Sequence, residues 1–200
     1  MCIQETKCFE FGEENCFNMW GSNEIDWIEI GAINNAAEII TLWRRSCFHL
    51  LSSVNRNNFS IIEGVWKVGD GVRVTIVNVY SSGSLKEKKA SWDEINAYRA
   101  CQLNRIWCVV GDFNSIRTKE ERKSLAMGLN YNREMRDFNE FIGKAELMDI
   151  LMVGRKFTWY KPNGTAKSRI DRVLVSDHCA LVIKDSCPDW GSKPFRSLDV

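Results

Sequence analysis

Residues 105–124 read RIWCVVGDFNSIRTKEERKS. Ile106–Val110 is an apolar run of strand length, bounded by polar residues and too short for a buried helix. It stops at Gly111, Asp112, Phe113 and Asn114. An acid and an amide two residues apart at the end of a core strand can close a turn. They can also hold a water molecule against a phosphate. On an extended segment residues two apart point to one side, so the second alternative predicts that Asp112 and Asn114 face one point.

Upstream, residues 58–68 (NFSIIEGVWKV) and 72–80 (VRVTIVNVY) flank Gly69-Asp70-Gly71, a hairpin signal. In the second strand Val72, Val74, Ile76, Asn78 and Tyr80 share a face, opposite Arg73, Thr75, Val77 and Val79. Tyr80 then closes a core or lines the rim of a site. Helical periodicity follows over 85–102: Ser84 and Glu87 are spaced as a capping box, and Trp92, Ile95 and Tyr98 repeat at 3–4 residues. A second helix is expected from a cap at Asn132 to about Leu147, its apolar face built on Met135, Phe138, Ile142 and Ala145. Residues 156–161 and 168–176 read as strands joined through Pro162-Asn163-Gly164, and 179–183 as another. Strands and helices alternate without a strict βαβ rhythm, repeat or linker. We expect one domain over 1–184 and an irregular arm over 185–200.

The chain has 200 residues, 44% of them hydrophobic, and a formal net charge of +1. That near-neutrality conceals an uneven layout. Lys7 stands alone in the first 38 residues against acids that include Glu5, Glu10, Glu13, Glu14, Glu24 and Asp26. Residues 154–172 carry Arg155, Lys156, Lys161, Lys167, Arg169 and Arg172 against Asp171. Such local fields attract anions even when the whole chain is balanced. The 8 cysteines include no C-x-x-C pair, so free thiols in a reducing, intracellular compartment are expected, with no disulfide-linked partner. The apolar runs fall short of a membrane span.

Taken singly, the acids at strand ends are explained by turns. Several of them above one sheet would instead suit Mg²⁺, which takes one or two protein carboxylates together with substrate phosphate. In order, I-Q-E-T-K (3–7), V-N-V-Y (77–80), G-D-F-N (111–114), S-R-I-D-R (168–172) and S-D-H-C (176–179) resemble the endonuclease/exonuclease/phosphatase superfamily. G-R-K-F-T-W (154–159) and W-G-S-K-P-F-R (190–196) are similar to the endonuclease region of plant LINE-type, non-LTR retrotransposon polyproteins, where it accompanies a reverse transcriptase.

The resemblance implies a four-layered α/β sandwich of two packed, mostly antiparallel sheets with outer helices, cleaving DNA phosphodiesters with Mg²⁺ or Mn²⁺, with the nucleus a compatible location. It implies Glu5 and Asp177 as metal-side acids, Asp112 as the group that orients or deprotonates water, and Asn114 as a phosphate holder flanked by Tyr80. His178 would stabilise phosphoryl oxygens, oriented by Asp171, with Asn78 in support. Arg117, Lys119, Arg122, Arg155, Lys156, Lys161, Lys167, Arg169 and Arg172 are candidate contacts to the nucleic-acid backbone.

Two departures from the family shape the expectation. Family members carry an asparagine-bearing strand before the segment matched by I-Q-E-T-K, which here follows Met1 at once. They also place a longer connection between the S-R-I-D-R strand and S-D-H, whereas Asp171 and His178 are seven apart here. A strand that long spans about 23 Å. We therefore expect an incomplete sandwich, truncated at its N-terminus and shortened near 176, with compromised chemistry. The alternatives are a non-catalytic remnant that binds nucleic acid weakly and a phosphomonoesterase.

Overall fold

In a computed structural model of the chain, the described residues are 1–5, 11–31, 39–67, 69–81, 83–102, 105–124, 131–150 and 156–176. The elements are β1 (Cys2–Gln4), α1 (Glu13–Trp20), β2 (Ile25–Ile30), β3 (Ile39–Arg44), β4 (Phe48–Asn55), β5 (Phe59–Trp66) and β6 (Val72–Tyr80). Next come α2 (Leu85–Ala100), β7 (Ile106–Asp112), a 3-10 turn at Lys119–Glu121, β8 (Arg122–Ser124) and α3 (Tyr131–Lys144). The chain continues through β9 (Leu147–Ile150), β10 (Trp159–Tyr160), β11 (Ala166–Ser168) and β12 (Asp171–Ser176).

A six-stranded sheet runs β4-β5-β6-β7-β12-β9, and a three-stranded sheet runs β1-β3-β2. The β6–β7 pair is parallel and the other pairs are antiparallel. The parallel pair follows from α2, which returns the chain to the start of the sheet as a crossover helix. The two sheets pack face to face through Trp43, Phe48, Ile62 and Val74. On the far side of the small sheet, α1 buries Cys16 with Phe11, Ile25, Ile40 and Leu42. On the far side of the large one, Trp92 and Ile95 of α2 and Phe138, Phe141 and Ile142 of α3 cover Val77, Val79, Trp107 and Val109. That is helix, sheet, sheet, helix: the four layers expected. The alternation in β6 explains the register, since Val77 and Val79 face the helices while Val74 and Asn78 face the small sheet.

Some boundaries moved. Ser84 is the N-cap of α2, but without the side-chain bond that a capping box requires. α3 starts at Tyr131 and stops at Lys144, because Glu146 adopts a positive φ of 49° and Leu147 opens β9 instead of closing the helix. The expected strand over 168–176 is broken at Arg169–Ile170 into β11 and β12. There the Thr158 hydroxyl accepts the main-chain N–H groups of Ile170 (3.0 Å) and Asp171 (3.1 Å). A third, small sheet, β10-β11-β8, hangs beside this break. The expected strand over 179–183, the boundary near 184 and the arm over 185–200 lie outside the described residues. Among the described residues no helix is long and apolar enough to cross a membrane, and Cys2, Cys16, Cys47, Cys101 and Cys108 are free thiols.

Candidate active site at one end of the sandwich

Strand register brings the site together. Tyr80 at the end of β6 lies beside Asp112 at the end of β7, and Asp112 lies opposite Asp171 at the start of β12. Neighbours in register point to the same face of a pleated sheet, so Tyr80, Asp112 and Asp171 form a row facing the small sheet. From that sheet Glu5, just past β1, accepts a 2.5 Å hydrogen bond from the Tyr80 hydroxyl. Asn78 joins the sheets at this point. Fully buried, it donates to the Ile40 carbonyl (3.0 Å) and the Thr41 hydroxyl (3.1 Å), and accepts from the Gln4 amide (2.5 Å). Gln4 precedes Glu5, whose φ of 59° turns the chain at the rim.

The spacing of Asp112 and Asn114 works differently from the expectation of a shared side on an extended segment. β7 ends at Asp112, and Asn114 has a φ of 48°. The Asn114 main-chain N–H donates to Asp112 Oδ1 at 2.6 Å, which closes an Asx-type turn. The pair closes a turn and stands at the rim of the site at once. Gly111 makes the approach possible: with φ 138°, a Cβ there would sit 2.0 Å from the Val79 carbonyl oxygen.

The electrostatics are lopsided. Burial pushes the Asp112 carboxyl up to about 6; the Asn114 N–H pulls it down, Asp171 and Glu5 push it up, and Lys88 pulls it down. The Tyr80 hydroxyl is raised far above its ordinary value, first by burial and then by its bond to Glu5. A carboxyl poised near neutrality beside other acids can take a proton from water or welcome a cation.

The basic candidates divide. Arg172, 1% exposed, bonds Glu121 and Asp149 and lies 5.5 Å from the centre of the Phe138 ring. Arg169 reaches the same two acids at 3.1 and 2.7 Å, and Arg117 reaches Asp149 at 3.3 Å. These three guanidiniums knit α3, β9 and the loop after β7 from beneath. For Arg172 in particular, burial leaves no face open to a phosphate, a correction to its place among the backbone contacts. Lys119, Lys156 and Lys161 are exposed, with Arg122 and Lys167 half-buried, on and around the β10-β11-β8 sheet. The Lys167 ammonium lies 4.9 Å over the Phe157 ring, and Trp159 and Tyr160 are exposed beside it. Arg155, Asp177 and His178 lie outside the described residues.

The sequence reading missed Lys88. It is buried on the Trp92–Ile95 face of α2, donating to the Asn114 carbonyl (2.6 Å) and to Glu134 (2.7 Å). The signal was present: Lys88 falls four residues before Trp92 on an apolar stripe, where a charge needs a partner. Thr158 was also missed, since a hydroxyl that receives two amides from across a strand break leaves no periodic trace.

A profile of the Endonuclease/Exonuclease/phosphatase family matches residues 1–192. Among solved structures, the catalytic domain of Xenopus laevis APE2 superposes with a TM-score of 0.64 at 11% identity, covering 88% of this chain and 73% of that one. Truncated Caenorhabditis elegans TDP2 gives 0.55 at 16% identity, with 88% and 69% covered. The endonuclease domain of TRAS1, a telomere-specific non-LTR retrotransposon, gives 0.51 at 13% identity, with 77% and 68% covered. No curated protein matches the chain in sequence.

Proposed function

The chain belongs to the endonuclease/exonuclease/phosphatase family, and from that premise we propose that it hydrolyses phosphodiester bonds of DNA with the help of a divalent cation. One observation carries the proposal. Glu5, Tyr80, Asp112 and Asp171 converge from four strands or strand ends of both sheets, and Asp112 has its carboxyl lifted to about 6. The Asx-type turn accounts for Asp112 alone; a hydrolytic site accounts for the other acids gathered beside it.

The donor set fits Mg²⁺ or Mn²⁺. Among the described residues no three His, Cys, Asp or Glu side chains close into a metal cage. Mg²⁺ is commonly held by one or two carboxylates, with water and phosphate oxygens completing its octahedron. Glu5 would hold the ion, joined by Asp177 beyond the described residues. When bound it would polarise a phosphoryl oxygen and offset the acids around it. Asp112 receives the proton of the attacking water, Asn114 donates its side-chain amide to the phosphate, and Tyr80 steadies the flank. Lys119, Arg122, Lys156, Lys161 and Lys167 supply cations for backbone phosphates, which position a duplex without reading it. The likeness to a retrotransposon endonuclease domain favours a polymeric substrate over a phosphomonoester.

One observation favours a second reading, a remnant that binds DNA with little turnover. β12 leaves Asp171 as an unbroken strand paired with β7 and β9. It carries the chain about 17 Å, at ~3.3 Å per residue, before Asp177 and His178. The test is nicking of supercoiled plasmid with Mg²⁺ or Mn²⁺. Metal-dependent nicking that disappears in Asp112→Ala supports the hydrolase. Salt-sensitive binding without nicking supports the remnant, and turnover of a phosphomonoester without nicking would replace both with a phosphatase.

A further inference from the structure

We propose that Lys88 is a positioning residue of this site, whose buried ammonium pins the turn that aims Asp112 and Asn114. The inference rests on the hydrolytic reading above, and its test is built so that the two can fail separately. Lys88 Nζ lies 2.7 Å from Glu134 Oε1, an oxygen that also accepts from the Ser115 hydroxyl at 2.8 Å. Glu134 alone neutralises the ammonium. The second bond, 2.6 Å to the Asn114 carbonyl, is not needed to balance charge.

That carbonyl belongs to a residue with φ 48°, a conformation a side-chain-bearing residue holds when its surroundings enforce it. Both main-chain polar groups of Asn114 are engaged: its N–H by Asp112, its carbonyl by Lys88. The Asp112 carboxylate is thereby tied through one residue to the interior of α2. Asp112 and Phe113 stay anchored through their own main-chain bonds to Ser81 and Ile170, so release of the carbonyl loosens the turn at Asn114 itself, where the bond to the Asp112 carboxylate alone is left. Chemistry that depends on alignment loses about 10²-fold from a misplacement of about 1 Å.

The informative variant is Lys88→Met/Glu134→Gln. It leaves no unpaired buried charge, and the glutamine carbonyl still accepts from Ser115. Lys88→Met and Lys88→Arg accompany it. Two readouts are taken: amide hydrogen exchange at Asn114 relative to α2 and β7, and kcat and KM on a DNA duplex with Mg²⁺. We expect a folded double variant, Asn114 exchange at least about tenfold faster than its neighbours, and kcat down about 10²-fold with KM little changed. Lys88→Arg should recover part of both. Unchanged Asn114 protection and unchanged kcat in the double variant would overturn the proposal. If the unaltered chain does not nick DNA, the hydrolytic reading fails by itself, and exchange at Asn114 still decides whether Lys88 pins the turn.

Discussion

Asp171 and Arg172 are neighbours in β12, yet their side chains belong to two different polar regions. Asp171 points towards the small sheet, into a row with Asp112 and Tyr80 that Glu5 completes. Arg172 points towards α3, where Arg117, Arg169 and Arg172 meet Glu121 and Asp149. The second region is matched. Its charges pair, and Glu121 is held below its ordinary value because its bonds from Arg172 and Arg117 outweigh the burial that pushes it up. The first is unmatched, with acids facing acids and Asp112 raised by burial and by its neighbours. One strand thus separates charge paired with opposite charge inside the fold from acids gathered beside one another at its rim. Raw charge in the sequence does not distinguish them; the alternation of faces does.

If this contrast holds, the largest effect should come from the matched side. Arg172→Ala leaves Glu121 and Asp149 buried with one fewer partner each, and such a loss costs about 3–5 kcal/mol. Denaturant unfolding should record it, with Arg172→Lys recovering a part, since an ammonium cannot fork across two carboxylates. A loss below about 1 kcal/mol would mean that the network behaves as a surface cluster. The unmatched side should respond with the opposite sign. Asp112→Asn keeps an oxygen for the Asn114 N–H while removing a carboxylate held at a cost. A rise from an ordinary value of about 4 to about 6 corresponds to roughly 2–3 kcal/mol at neutral pH. In metal-free buffer at pH 7.5 the variant should melt several degrees higher than the parent, and it should not nick DNA. A lower melting temperature would show that the site is not electrostatically strained.

Much of this was legible beforehand, and the exceptions have physical causes. The hairpin through Gly69-Asp70-Gly71, the helix α2 and the strand β7 were written in periodicity and turn chemistry, while the parallel β6–β7 pairing that makes α2 a crossover was not. Tyr80 and Asp112 each stood at a strand end, whereas Asp171 fell inside the strand expected over 168–176; the break before β12 and the register made the three one row. β1 to β4 and α1 were not delineated: β3 lies in the centre of its sheet and is buried over nearly its whole length, so it shows no alternation. The arginines of 169–172 were taken with the lysines around them, because a sequence does not reveal whether a cation faces solvent or two carboxylates. Lys88 was overlooked because its partners, Asn114 and Glu134, are 26 and 46 residues away.

The finest test uses pH, since the two regions must pull the stability curve in opposite directions. Asp112 has a folded-state value above its unfolded one, so the folded chain binds the extra proton. Its contribution therefore rises as pH falls from about 7 towards about 4, by at most about 1.4 kcal/mol per pH unit. Glu121 is depressed in the fold. The stability it confers is complete above its unfolded value of about 4.3, and is lost as pH falls through its lower folded value. These two groups together predict a maximum between about pH 4 and 5. Asp112→Asn should remove the rise on the neutral side and leave the acid collapse. Arg172→Ala should blunt the collapse and leave the rise. Urea unfolding at half-unit pH intervals, metal-free, gives the three curves. Should the parent and Asp112→Asn curves run parallel from pH 7 to 4.5, the acids at the end of the sandwich are solvated like any others, and the contrast between the two faces of β12 is lost.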